Sequence, residues 1–128
     1  MADSRTEHRA LVYSCSGCSS VAQLANHLAV RLDREGHAEM SCIAGIGGDV
    51  PSLLRKLKHA VSAERPVVAI DGCVLSCARN ALARHGVEPT RHLRLDRHGI
   101  RKVYGADFEP HDAEASYVEV RRLLSELE

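Results

Sequence analysis

A nearly continuous apolar stretch, PVVAID at residues 66–71, most constrains what this chain can fold into. It shows no alternation of apolar and polar residues, which predicts a strand buried on both faces, as in a parallel sheet. Two further strand candidates precede it, RALVYS at 9–14 and AEMSCIA at 38–44, and a helical pattern follows each of the three. Repeated strand–helix units predict βαβ crossovers and a three-layer α/β domain with a mostly parallel sheet, Rossmann-like or flavodoxin-like. The order of the strands stays open.

Four segments carry the apolar spacing of amphipathic helices, at 19–36, 52–63, 76–85 and 112–128. In the first of them, Ser20 with Gln23 predicts a capping box, and Gly36 suits the position that follows the helix. RHLRLD at 91–96 alternates like a strand, and RKVYG at 101–105 predicts a short edge strand. GIGGD at 45–49 predicts a loop whose tight turn brings the backbone near the cysteines.

Length and charge exclude several classes of protein. The 128 residues fit one domain over 1–128, and 17 basic residues balance 17 acidic ones, so no global field favours nucleic acid. No apolar stretch approaches the ~20 residues of a membrane span. The first ten residues, MADSRTEHRA, lack the apolar core of a signal peptide. We therefore expect a cytoplasmic protein that has neither nucleic acid nor membrane as a partner.

All five cysteines fall at or just after the ends of the three predicted strands. Cys15 and Cys18 follow the first strand, Cys42 lies near the end of the second, and Cys73 and Cys77 follow the third. Parallel strands end at one edge of a sheet, and open α/β sheets bind ligands there. In a reducing compartment, clustered cysteines bind metal or do redox chemistry more often than they form structural disulfides. The sequence therefore predicts one shared thiol site.

Zinc is the metal that this thiol site predicts. C-x₂-C spacing lets two thiolates converge on one ion at about 2.3 Å, and soft thiolates select zinc, Cu(I) or an iron–sulfur cluster. A closed zinc site takes four ligands, so one cysteine is spare, and Cys42 is the candidate because no second cysteine is near it in sequence. Asp71 is predicted to hydrogen-bond the site rather than touch the metal. An iron–sulfur cluster stays an alternative, although the spacings differ from ferredoxin runs.

Two other chemistries stay open. A C-x-x-C pair beside a βαβ pattern is partly typical of thioredoxin-like redox proteins, but those need only two cysteines. Cys73 and Arg79 have the C-x₅-R spacing of cysteine phosphatases and some arsenate reductases, in which the cysteine attacks and the arginine grips the oxyanion. The residues between them include no glycine, which the anion-wrapping loop of such enzymes usually requires.

Three motifs occurring together resemble the DGC-domain family, whose members are described as zinc-binding proteins. They are CSGCSSVAQLAN, EMSCIAGIGGD and AIDGCVLSCARNAL, and the family takes its name from the Asp71-Gly72-Cys73 sequence. The resemblance runs from about 11 to 104. It implies that Cys15, Cys18, Cys42, Cys73 and Cys77 are metal-site residues. The chain departs from the family pattern at Val74, where proline is frequent, and at 79–80, where lysines are frequent; no departure affects a thiol.

Overall fold

The computed structural model describes residues 9–127. Its sheet contains β1 (Ala10–Ser14), β2 (Ala38–Met40), β3 (Val67–Asp71) and β4 (Arg91–Arg94). Every pairing is parallel, and the order is β2-β1-β3-β4. The predicted α/β fold with a parallel sheet is confirmed, and the order, which the sequence left open, is the flavodoxin-like one.

Helices cover both faces of this sheet. They are α1 (Ser20–Arg34), α2 (Ile43–Gly47), α3 (Pro51–Ser62), α4 (Cys77–Arg84) and α5 (Pro110–Ser125), with a 3-10 turn at Leu95–His98. Side chains alternate between the two faces along β1. Val12 packs in the core beneath α1 and α5, and Leu11 and Tyr13 pack in the core beneath α2, α3 and α4. None of the helices within residues 9–127 has the length and apolar character that crossing a membrane requires.

The second strand and the loop that follows it differ from the prediction. β2 ends at Met40, and residues 43–47 form the short helix α2 where the sequence predicted the end of a strand and then a loop. The helix is held by packing, because Ile46 is fully buried and an added Cβ on Gly45 would lie 1.9 Å from Leu53 Cδ1. This contact between α2 and α3 depends on tertiary packing, so the spacing of apolar residues within 43–47 could not predict the helix.

Residues 101–105 form no strand in the described chain, contrary to the prediction. Tyr104 makes only an isolated antiparallel bridge with Ser19. The neighbouring backbone wraps the start of α1, where Ser20 N–H donates to the Val103 carbonyl over 2.8 Å and Gly105 N–H donates to the Cys18 carbonyl over 3.1 Å. This segment therefore ties the C-terminal part of the chain to the loop that carries Cys18.

The first turn of α1 is capped one residue earlier than predicted. Ser19 is the N-cap, and its Oγ accepts a hydrogen bond from Ala22 N–H over 3.2 Å. Ser20 Oγ instead accepts from Val103 N–H over 2.9 Å, so the predicted capping box is wrong. The prediction for the other end is confirmed, since Gly36 has a φ of +79° and its N–H donates to the Asp33 carbonyl.

Candidate functional site

The candidate site lies between the C-terminal ends of β1 and β3. These strands are neighbours, and the chain leaves them in opposite directions, toward β2 on one side and β4 on the other. Open α/β sheets bind ligands at such a switch point. A cleft of about 180 Å³ opens there, and its lining includes Cys15, Cys18, Cys73 and Cys77. The fold thus brings four of the five cysteines to one cleft, from two adjacent strands.

Cys15 is the buried thiol of this cleft. Its sulfur is 3.2 Å from the Gly72 backbone nitrogen, whose N–H donates to it. Burial raises the pKa of Cys15 to about 12, the Gly72 N–H opposes that rise, and negative charge on Asp71, Cys77 and Cys73 adds to it. Cys15 is therefore protonated at neutral pH, and a metal that bound it would displace a proton.

The other three thiols of the cleft are more accessible. Cys18 and Cys77 are exposed, Cys73 is half-buried, and none of them is in a disulfide. In the conformation described for residues 9–127, no three His, Cys, Asp or Glu side chains are arranged to hold a metal ion. The donor types suit a soft metal, and the sulfurs would have to draw together to bind one.

Cys42 lies apart from that cleft. It precedes α2 at the end of β2, is exposed, and lines a neighbouring cavity together with Ser14 and Met40. The predicted five-thiol site is therefore divided into four thiols in one cleft and one thiol beside it. The position of Cys42 agrees with the expectation that it is the spare cysteine, and that role stays a prediction.

Asp71 anchors the helix that carries Cys77. The side chain is 1% exposed, and its two oxygens accept from the N–H groups of Ala78 (2.8 Å) and Arg79 (3.1 Å) at the start of α4. His92 Nε2 lies 2.8 Å from Oδ2 and adds a third partner. Asp71 thus connects β3, β4 and α4, and it fixes the backbone on which Cys77 stands.

We expect Asp71→Asn to lower the free energy of unfolding by about 2 kcal/mol, because the buried side chain can then accept from only one of the two backbone N–H groups, those of Ala78 and Arg79. His92→Ala should cost less, since both backbone bonds to Asp71 remain. Urea unfolding at pH 7 measures both changes, with the exposed Asp107→Asn as a control for the lost charge. Equal stabilities for Asp71→Asn and Asp107→Asn would contradict the anchoring role.

Gly72 is required by close packing. A Cβ added to it would lie 2.6 Å from the carbonyl carbon and 2.7 Å from the carbonyl oxygen of Val21, in the first turn of α1. No side chain fits between the end of β3 and the backbone of α1. The Asp-Gly-Cys sequence therefore combines a helix anchor, a point of backbone contact and a cleft thiol.

Lys102 is a component of the cleft that sequence reasoning missed. Its Nζ lies 3.4 Å from Cys73 Sγ and 4.5 Å from the centroid of the Tyr104 ring. The Tyr104 hydroxyl and the Cys73 sulfur raise the pKa of Lys102, so the ammonium stays charged. Lys102 is 29 positions from Cys73 in sequence, and no local pattern signals that contact. His92 was missed for the same reason.

Arg79 does not line the cleft with the cysteines. Its guanidinium binds Glu88 Oε1 through Nε (3.1 Å) and Nη2 (2.8 Å), and its side chain is half-exposed. The loop between Cys73 and Arg79 includes Ser76 in a left-handed conformation, with φ at +49°. The C-x₅-R spacing is therefore present, but the Arg79 guanidinium is paired with Glu88 and does not share the cleft with Cys73.

The fold and the cleft define the class: an α/β protein with a flavodoxin-like parallel sheet and a thiol-lined cleft at the switch point, next to an Asp-Gly-Cys turn. A family model for the DGC domain matches residues 11–120, and the chain belongs to that family. The match continues past the cysteine motifs into α5.

The chain is also similar to the anaerobic and virulence modulator AnvM of Pseudomonas aeruginosa. The two are 59% identical over 115 residues, which is 90% of this chain and 85% of the relative. No solved structure matches the chain.

Proposed function

We propose that this chain binds a zinc ion through Cys15, Cys18, Cys73 and Cys77. The observation that supports this proposal is the position of these four thiols in one cleft at the switch point of the sheet. Four thiolates are a complete ligand set for a closed tetrahedral zinc site, and zinc needs no further donor. The zinc would tie the loops after β1 and β3 together.

The charges around the cleft favour such a site. Zinc with four thiolates has a net charge of about −2, which nearby positive charge stabilises. Lys102 brings an ammonium to 3.4 Å from Cys73 Sγ. Cys77 is the first residue of α4, and Cys18 lies two residues before α1, so the positive ends of two helices face the same cleft.

The burial of the thiols suggests how the site would close. Cys15 is held at the end of β1 by the Gly72 N–H, while Cys18 and Cys77 are exposed and can turn toward it without disturbing the core. Gly72 and Asp71 would hold β3 and α4 in place around the metal. Cys42 would remain outside the set as the spare thiol.

The description of the relative suits a protein that acts through thiols. AnvM is called an anaerobic and virulence modulator, and thiolates are the groups of a protein most easily changed by oxidants. We propose that this chain has a modulating role of the same kind and that it acts in the cytoplasm, where reducing conditions keep thiols available for metal.

A second candidate function is dithiol–disulfide exchange. Lys102 favours it, because an ammonium beside a cysteine is a feature of reactive thiols. Cys15 opposes the thioredoxin-like form of this chemistry, since the first cysteine of the C-x-x-C pair is buried and its pKa is raised to about 12. An exchange reaction would therefore have to begin at one of the more accessible cleft thiols, Cys18, Cys73 or Cys77.

Thiol counting with a chromogenic disulfide reagent separates the two functions. A closed zinc site should leave only Cys42 to react quickly, and a strong chelator should release Cys18, Cys73 and Cys77 as further fast thiols. Cys42→Ser is the matched control, because it should remove the one fast thiol that is present before chelation. Fast reaction of the cleft thiols without chelator would reject the closed zinc site and favour the redox function.

A further inference from the structure

A second cavity, of about 410 Å³, opens beside the cysteine cleft at the ends of β1 and β2. Its volume falls within the range of small-molecule sites, about 300–1,000 Å³. Both polar and apolar residues line it. Its lining includes Ser14, Ser16, Asn26, Met40, Cys42 and Ile43.

Ser14 points to a ligand in this cavity. It is the last residue of β1, it is 2% exposed, and its hydroxyl has no hydrogen-bond partner within the described chain. Alternation along β1 places its side chain on the same face as Val12, beneath α1, where Asn26 also contributes to the cavity. A buried hydroxyl without a partner is unfavourable, and a bound molecule that hydrogen-bonds to it would remove that cost.

The charges at the rim indicate what kind of molecule fits. Asp33 and Arg34 are the charged residues that line this cavity, and they form an ion pair with each other. Asp33 Oδ1 also accepts from Met40 N–H over 3.0 Å. The rim therefore carries no net charge with which to neutralise an ionic ligand.

We propose that this cavity binds an uncharged small molecule, which hydrogen-bonds to Ser14 and places an apolar edge against Met40 and Ile43. This cavity adjoins the thiol cleft, and Ser16 lines both. The proposed ligand does not depend on the proposed zinc. Its position at the ends of parallel strands is where open α/β sheets bind ligands.

Cys42 lines the cavity and is exposed, so a probe molecule can be attached to its thiol by disulfide exchange to test binding in the cavity. The probe is the symmetrical disulfide of N-(2-sulfanylethyl)benzamide, which carries a neutral amide and an apolar ring. The charged comparison is cystamine. Exchange with the Cys42 thiol forms a mixed disulfide and releases one probe thiol, and excess 2-mercaptoethanol keeps the reaction at equilibrium. Mass mapping of the Cys42 peptide measures how much of each probe is retained.

The expected result is retention of the benzamide probe at Cys42 more than fivefold above cystamine: one ordinary hydrogen bond accounts for about fivefold, and the apolar ring adds to it. Ser14→Ala should lower that preference about fivefold and leave the melting temperature unchanged or higher, because the deleted hydroxyl has no partner within the described chain. Asn26→Ala tests a polar residue of the lining at a half-buried position and should reduce the preference. Ser116→Ala, a buried serine of α5 outside the cavity, should keep it.

Equal retention of both probes by the wild-type protein, or a preference that Ser14→Ala leaves undiminished, would overturn the proposal. A lower melting temperature for Ser14→Ala would also overturn it, since the hydroxyl would then be structural. Repeating the exchange after chelation should give the same preference at Cys42, so that failure of the zinc proposal leaves this result unchanged.

Discussion

Replacing Gly72 with alanine should lower the free energy of unfolding by about 3 kcal/mol. The new methyl group would stand 2.6 Å from a backbone carbon of Val21, so the end of β3 and the first turn of α1 would have to separate. That separation would also disturb the Gly72 N–H bond to Cys15. Urea unfolding followed by circular dichroism measures the loss.

Gly47→Ala is the matched control for this substitution. Gly47 is the last residue of α2, and an added Cβ would meet nothing within 4 Å. The same chemical change should there be neutral or stabilising by up to about 1 kcal/mol, because alanine favours helix. If Gly72→Ala were as stable as Gly47→Ala, the close approach of β3 to α1 would be wrong.

Loss of one exposed cleft thiol should remove most of the stabilisation that zinc confers. A ligand present at 1,000 times its dissociation constant stabilises a folded protein by about 4 kcal/mol, which is roughly 15 °C in melting temperature for a domain of this size. Cys18→Ser and Cys77→Ser are the informative variants, because both side chains are exposed and the substitution itself should cost little.

Cys42→Ser is the control for these two variants. Its thiol is also exposed and stands at the same edge of the sheet, but it lies outside the cleft. With zinc present, Cys42→Ser should melt with the wild type, and the two cleft variants should melt roughly 10 to 15 °C lower. After chelation all four proteins should melt together. Four equal melting temperatures with zinc present would contradict the proposed ligand set.

The sequence predicted those elements whose signal is local. The apolar run before Asp71 identified β3 as a buried parallel strand, and the spacing of Leu24, Leu28 and Leu32 identified α1. Strand order has no comparable signal, because it depends on which strand edges meet after the helices have packed. The segment at 101–105 shows the same limit: its residues look like strand, and its backbone partners lie at the start of α1.

The sequence likewise predicted part of the candidate site and missed the rest. All five cysteines could be assigned to one edge of the sheet, because each lies at or just after the end of a predicted parallel strand. The sequence already indicated Cys42 as the spare cysteine, because no second cysteine is near it in sequence. Its position beside a second cavity, just before the short helix α2, could not be predicted. Lys102 and His92 come from the C-terminal third of the chain, and only tertiary structure brings them to Cys73 and Asp71.

Metal stoichiometry tests the central claim most directly. The protein would be purified without added metal, and zinc, iron and copper would be measured per chain by elemental analysis, together with acid-labile sulfide. The zinc proposal predicts about one zinc per chain in the wild type and in Cys42→Ser, and little in Cys18→Ser and Cys77→Ser. Full zinc content in both cleft variants, or iron with sulfide in place of zinc, would contradict it.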